Sequence, residues 1–173
     1  MAKDLINEPS NKLSPPIFIK HIIGEIDKKK LNISSYILNT KELKNLGMNL
    51  IVSVGNGSSI ENQSKLLLLY YDGSDSNNMK KNNNKILSDT KNIDYILIGK
   101  GVTFDTGGIS LKKSKNLYEM KYDMAGASIV SNFICGYAKN KGKQKILCFV
   151  PLAQNNISNN STIPGDIIKS YNK

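Results

Sequence analysis

Apolar positions along the chain follow two rhythms, one helical and one strand-like. Ile17, Phe18, His21, Ile22 and Ile26 recur at helical spacing behind Ser14-Pro15-Pro16. Proline is pre-set for a first helical turn, so this segment reads as an amphipathic helix. Lys28, Lys29 and Lys30 close it with charge suited to a helix C-terminus. Residues 3–9 read as an earlier helix stopped by Pro9. Residues 33–39 alternate as a half-buried strand does, and 41–46 read as a short helix ended by Gly47. The apolar runs at 50–54, 66–71, 93–99 and 146–151 are expected to be strands. A last helix is expected from about Ala125 to Lys139, with Ile129, Val130, Phe133, Ile134 and Tyr137 on its apolar stripe and Gly142 as its stop. Residues 72–92 break the rhythm with a polar stretch rich in Asn and Lys, which reads as a long surface hairpin or a low-complexity insertion. Helix and strand alternate, which is the pattern of an α/β layered domain.

Composition narrows the class. The chain has 173 residues, 39% of them apolar and 22% charged, which suits one soluble domain with its own core. No apolar run approaches the ~18 residues of a membrane span. The start is polar and carries Asp4, unlike a secretory signal, so the cytoplasm is the expected compartment. Cys135 and Cys148 lie in apolar stretches and read as buried thiols in a reducing compartment. His21 is the single histidine, which excludes a two-histidine zinc helix and leaves a Ser-His-Asp triad without an elbow serine to serve.

A net charge of +10 invites a nucleic-acid reading, but all 24 basic residues are lysine, and Asn and Ile occur 22 times each. That bias resembles the codon usage of an AT-rich genome and raises the pI without a partner. The lysines are scattered and not interleaved with aromatic residues, so no specific nucleic-acid binding is expected.

The densest chemistry lies between Gly99 and Gly126. Behind a strand ending at Ile98, a loop is expected to carry Lys100, Asp105 and the glycines 99, 101, 107 and 108; Lys112 and Asp123 follow, the latter just ahead of a helix. Ligands of α/β folds gather at the carboxyl ends of strands. Two aspartates can hold a divalent metal, and a lysine joins them only if its amine is made neutral. Spacing alone favours two surface ion pairs, Lys100–Asp105 and Lys112–Asp123, around a glycine loop.

Six blocks tilt that balance. GKGVTFDTGGISLK (99–112) and MKYDMAGA (120–127) resemble the metal-binding blocks of the leucyl (cytosol) aminopeptidases, which are binuclear metallo-exopeptidases. AKDLINEPSNKLSPPIF (2–18), LGMNLIVSVGNGSS (46–59), KLLLLYYDG (65–73) and VPLAQNNISNNSTIPGDII (150–168) are similar to the same family in the same order. Gln154 departs from the family's usual glutamate, and Ile163 from its arginine.

The resemblance implies an α/β fold with a mixed, largely parallel central sheet flanked by helices. It implies that residues 1–173 are the N-terminal half of the catalytic domain, with the insert near 72–92. Carried over, Lys100 would be a neutral-amine metal ligand, Asp105 would bridge two metals, Asp123 would bind the tighter one, and Lys112 would polarise the scissile carbonyl. Met120 and Tyr122 are candidates for the pocket of the first side chain, or alternatively core residues. The implied cofactors are two divalent ions, Zn²⁺ and/or Mn²⁺. The implied reaction is release of leucine-like N-terminal residues from a peptide with a free N-terminus, by attack of a metal-bridging water. A homo-hexamer without membrane or nucleic-acid partners is expected. The family's NTDAEGR block, with two further carboxylates and an arginine, is not among these residues. The expectation is therefore a fragment that is inactive by itself, or a non-catalytic truncated paralogue or pseudogene product that at most associates with intact subunits.

Overall fold

The computed structural model describes residues 1–74 and 92–172. Two helices open the chain, α1 (Ala2–Asn7) and α2 (Pro15–Lys28), followed by strand β1 (Ile33–Leu38). Two short helices come next, α3 (Thr40–Asn45) and α4 (Asn49–Gly55), and then the long strand β2 (Lys65–Asp72). After the polar stretch come β3 (Tyr95–Ile98) and β4 (Gly101–Asp105), a 3₁₀ turn at Leu117–Tyr122, α5 (Ala125–Lys139) and β5 (Lys145–Asn155). Most of the expected hairpin or insertion lies outside the described residues.

The sheet is mixed. β2 is antiparallel to both β1 and β5, whereas β3 and β4 run parallel to β5. β3 pairs with the first part of β5 (Tyr95 opposite Ile146) and β4 with its last part (Gly101 opposite Leu152), so the two share one edge that is interrupted at Gly99 and Lys100.

β2 explains why the apolar run KLLLLYYD cannot alternate. Leu67, Leu69 and Tyr71 face one core with Phe18, Ile22, Ile134, Val150 and Leu152, while Leu66, Leu68 and Tyr70 face a second core with Leu43, Val52 and Leu147. A strand buried on both faces is apolar throughout. α2 and α5 cover the first face, and α3 and α4 the second.

Four expectations are corrected. Residues 50–54 are not a strand but most of α4: only Val52 and Gly55 are buried, on one helical face, while Leu50 and Val54 are exposed. A five-residue apolar run carries no period that separates the two structures. Gly101–Asp105, read as loop, is strand β4, because glycine at its start lets it lie close against β5. The stripe of α5 is rotated: Ile129 and Phe133 are exposed, whereas Ala127, Ser128, Ser131, Ile134 and Cys135 are buried. Small residues face the sheet, so the helix can approach it closely. On α2 likewise, Ile19 is buried while Ile17 and His21 are exposed.

The cysteines are buried and free as expected. Burial pushes the Cys135 thiol up to about 11 and the Cys148 thiol up to about 12. Among the described residues, no helix is long and apolar enough to cross a membrane.

Candidate metal centre

The break between β3 and β4 places Lys100. Gly99 N–H still donates to Phe149 O at 3.0 Å, but the next carbonyl, that of Lys100, turns away and accepts from Ala127 N–H in the first turn of α5 at 2.8 Å. This contact needs glycine. A Cβ on Gly99 would stand 2.6 Å from Gly126 O and 2.8 Å from Ala127 Cα, and a Cβ on Gly126 would stand 3.1 Å from Lys100 N. The strand junction thus lies directly on the N-terminus of α5, where Asp123 closes the 3₁₀ turn. Lys100 Nζ reaches Asp123 Oδ1 at 2.9 Å.

Gly99→Ala is expected to cost about 1–3 kcal/mol, because backbone on both sides must give way. A urea titration reads the loss, and an unchanged midpoint would contradict the contact.

Asp105 ends β4 opposite Asn155, which ends β5. Asn155 Nδ2 donates to Asp105 Oδ1 at 2.7 Å, and Gly107 N–H donates to the same oxygen at 3.0 Å. The carbonyl of Asn155 accepts from Thr106 N–H at 3.0 Å and from its hydroxyl at 2.8 Å, which fixes the loop. Gly107 and Gly108 then take positive φ of 90° and 68°, and the chain turns back so that Lys112 N–H donates to Thr106 O at 2.9 Å. Lys112 Nζ meets Asp105 Oδ2 at 2.6 Å and Met120 Sδ at 3.1 Å.

Burial pushes the Asp105 carboxyl up, but the hydrogen bonds from Lys112, Gly107 and Asn155 outweigh it and hold the group below its ordinary value. Oδ2 of Asp123 is buried and finds no hydrogen-bond partner among the described residues. An unsatisfied carboxylate oxygen beside a cation is costly unless a further donor or cation reaches it.

The four expected residues therefore form two ion pairs, crossed relative to the sequence-neighbour reading: Lys100 with Asp123, Lys112 with Asp105. Met120 lies at this site through its contact with Lys112, half-buried. Tyr122 is 40% exposed, and its ring is covered by Lys121 Nζ at 5.0 Å. Neither belongs to the core; among the described residues the buried methionine is Met124. Asn155 had not been singled out from the sequence. The signal for it was an amide at the end of a buried strand, beside the strand that ends in Asp105. An apolar groove of about 360 Å³ between α4 and the strand edge, lined by Leu50, Ile51, Val54, Ile98 and Val102, borders Lys100.

The donor set fits a hard divalent cation. It offers two carboxylates, one with an unsatisfied buried oxygen and one whose Oδ2 is already held by a cation. Their two negative charges would balance one dication once the two lysines no longer neutralise them. No group of three His, Cys, Asp or Glu side chains comes together among the described residues.

The family model described as "Cytosol aminopeptidase family, catalytic domain" matches residues 1–173. A probable cytosol aminopeptidase of Rickettsia bellii (strain OSU 85-389) is 38% identical over 168 residues, covering 96% of this chain and 30% of the relative. Among solved structures, the bottromycin maturation enzyme BotP in complex with Mn superposes with a TM-score of 0.79 at 28% identity, over 98% of this chain and 32% of that one. The cytosol aminopeptidase of Coxiella burnetii superposes with a TM-score of 0.81 at 24% identity, over 98% of this chain and 33% of its own, a likeness of fold. The chain thus spans about a third of the length of the proteins it matches, and it belongs to the cytosol aminopeptidase family.

Proposed function

We propose that the chain carries the metal-holding segment of an aminopeptidase that releases leucine-like N-terminal residues from peptides. One observation carries the reading: the carboxylates of Asp105, at the end of β4, and Asp123, just ahead of α5, are each paired with a lysine of the same glycine-rich segment. Asp105, Asp123 and Lys100 would hold divalent ions, manganese or zinc. When bound, such ions supply Lewis acidity and lower the pKa of a water molecule.

The chain's own residues have separate tasks. Asn155 and Gly107 N–H orient the Asp105 carboxylate through Oδ1. Lys112 donates hydrogen bonds to the oxygen of the scissile carbonyl as negative charge gathers on it. Met120 gives that lysine an apolar, weakly accepting neighbour, and it is the better placed of the two pocket candidates. In the whole protein the substrate is a peptide with a free N-terminus, the assembly a homo-hexamer and the compartment the cytoplasm. The presence of Mn in BotP supports manganese.

A second reading, favoured by the carboxylate count, is that residues 1–173 do not turn over substrate unaided and at most associate with intact subunits. Two carboxylates balance one dication, not two.

Both readings are tested by placing residues 1–173 in the Rickettsia bellii relative in exchange for its matching segment. The chimera is expected to release leucine from leucyl amide, to stop on chelation and to recover with Mn²⁺. The chain by itself is expected to release none. A folded chimera without activity would overturn the first reading, and turnover by the chain alone would overturn the second.

A further inference from the structure

The two carboxylates differ in what they have left to offer a metal. Asp123 keeps Oδ2 buried and unpartnered among the described residues while Oδ1 holds Lys100. Asp105 has no such reserve. Its Oδ1 already accepts from Asn155 Nδ2 at 2.7 Å and from Gly107 N–H at 3.0 Å. Its Oδ2 is taken by Lys112 Nζ at 2.6 Å. A dication that approaches Asp105 through Oδ2 would stand beside the ammonium and compete with it for the same oxygen.

We propose that Lys112 is a built-in competitor for the metal at Asp105: an internal cation that occupies the carboxylate in the metal-free chain and must leave before a divalent ion binds there. The proposal rests on the metal-centre reading above.

Lys112 is free to make this exchange. Residues 109–116 are all exposed and enter through the positive-φ turn at Gly107 and Gly108. The lysine side chain is 39% exposed against 16% for its partner, so the ammonium can swing into water while the carboxylate stays anchored by Asn155 and Gly107. Its other contact, Met120 Sδ, is a weak acceptor that a charged group readily exchanges for water.

The consequence has an unexpected sign: removing a charged residue from the centre strengthens metal binding. Mn²⁺ is titrated into the full 173-residue chain, and free Mn²⁺ is followed by electron paramagnetic resonance, for the wild type, Lys112→Met and Lys112→Arg. Lys112→Met is expected to tighten the dissociation constant by up to about fivefold, the range that an ion pair of this exposure supports. Lys112→Arg, which keeps the competing charge, is expected to show no such gain. Equal or weaker binding by Lys112→Met, with the wild type binding, overturns the competition and leaves the metal-centre reading in place. Absence of binding in every chain overturns both.

A second measurement needs no neutral variant. The Lys112 side-chain CH₂ next to Nζ, assigned by loss of its NMR signal in Lys112→Arg, is expected to shift when Zn²⁺ saturates the wild-type chain. A signal that stays in place under saturation overturns the exchange.

Discussion

In the active chimera, Lys112→Met is expected to lower kcat for leucyl amide by about 10²–10³-fold, the usual loss when one oxyanion donor is removed. KM is expected to change little. The carbonyl of the substrate is neutral and the charge appears only as the tetrahedral intermediate forms, so the ammonium interacts more strongly with the transition state than with the ground state. A loss confined to kcat separates this role from simple electrostatic attraction of substrate, which would appear in KM. The same substitution is expected to tighten Mn²⁺ binding, so a fall in kcat with stronger metal binding cannot be explained by an emptied metal site. Lys112→Arg is expected to recover only part of the rate. Its charge is retained, but the planar guanidinium presents its donors in a fixed fork, unlike a compact ammonium at the end of a flexible stem. Steady-state kinetics at saturating Mn²⁺ reads all three outcomes, and a kcat within a few-fold of the parent would remove Lys112 from the reaction.

Much of the scaffold was legible because it rests on local rules. Pro15 and Pro16 mark the start of α2, the apolar stretch of β2 reports a strand covered on both faces, and the limits Ala125–Lys139 of α5 match the periodic segment. What was not legible depends on neighbours distant in sequence. The run at residues 50–54 has no period, and it becomes α4 because Val52 and Gly55 dock on the sheet from one side. The stripe of α5 turned because the sheet accepts Ala127, Ser128 and Ser131 more closely than Ile129 or Phe133. Propensity alone cannot anticipate that choice between small residues and large ones.

The candidate site divides in the same way. The residue types of the glycine-rich segment were visible through their resemblance to a family, but the pairings were not. Lys100 and Asp105 are five apart in sequence, yet the junction at Gly99 carries Lys100 to Asp123 and the turn at Gly107 and Gly108 brings Lys112 to Asp105. Asn155 escaped notice because its contact with Asp105 spans 50 residues and depends on the register of β4 against β5.

The second large effect concerns the carboxylates. Asp105→Asn and Asp123→Asn keep size and shape while removing the charge that balances a dication. The loss of an outer partner typically costs about 10–100-fold in metal affinity, and a ligand itself is expected to cost at least that much. The two are expected to fail for different reasons. At position 105 the substitution also puts an amide opposite Asn155 Nδ2 and Lys112 Nζ, disturbing a carboxylate that accepts on both oxygens. At position 123 it removes the unsatisfied buried oxygen that invites the cation. Neither residue lies in the hydrophobic core, so both variants are expected to keep a cooperative thermal unfolding transition, lowered more at position 105, where three hydrogen bonds are disturbed.

The most direct test of the metal centre is a Mn²⁺ titration of the full chain beside the double variant Asp105→Asn/Asp123→Asn, with free Mn²⁺ read by electron paramagnetic resonance. The structure predicts saturable binding by the wild type and its loss in the double variant. Equal binding by the two chains, or none by the wild type, would contradict it.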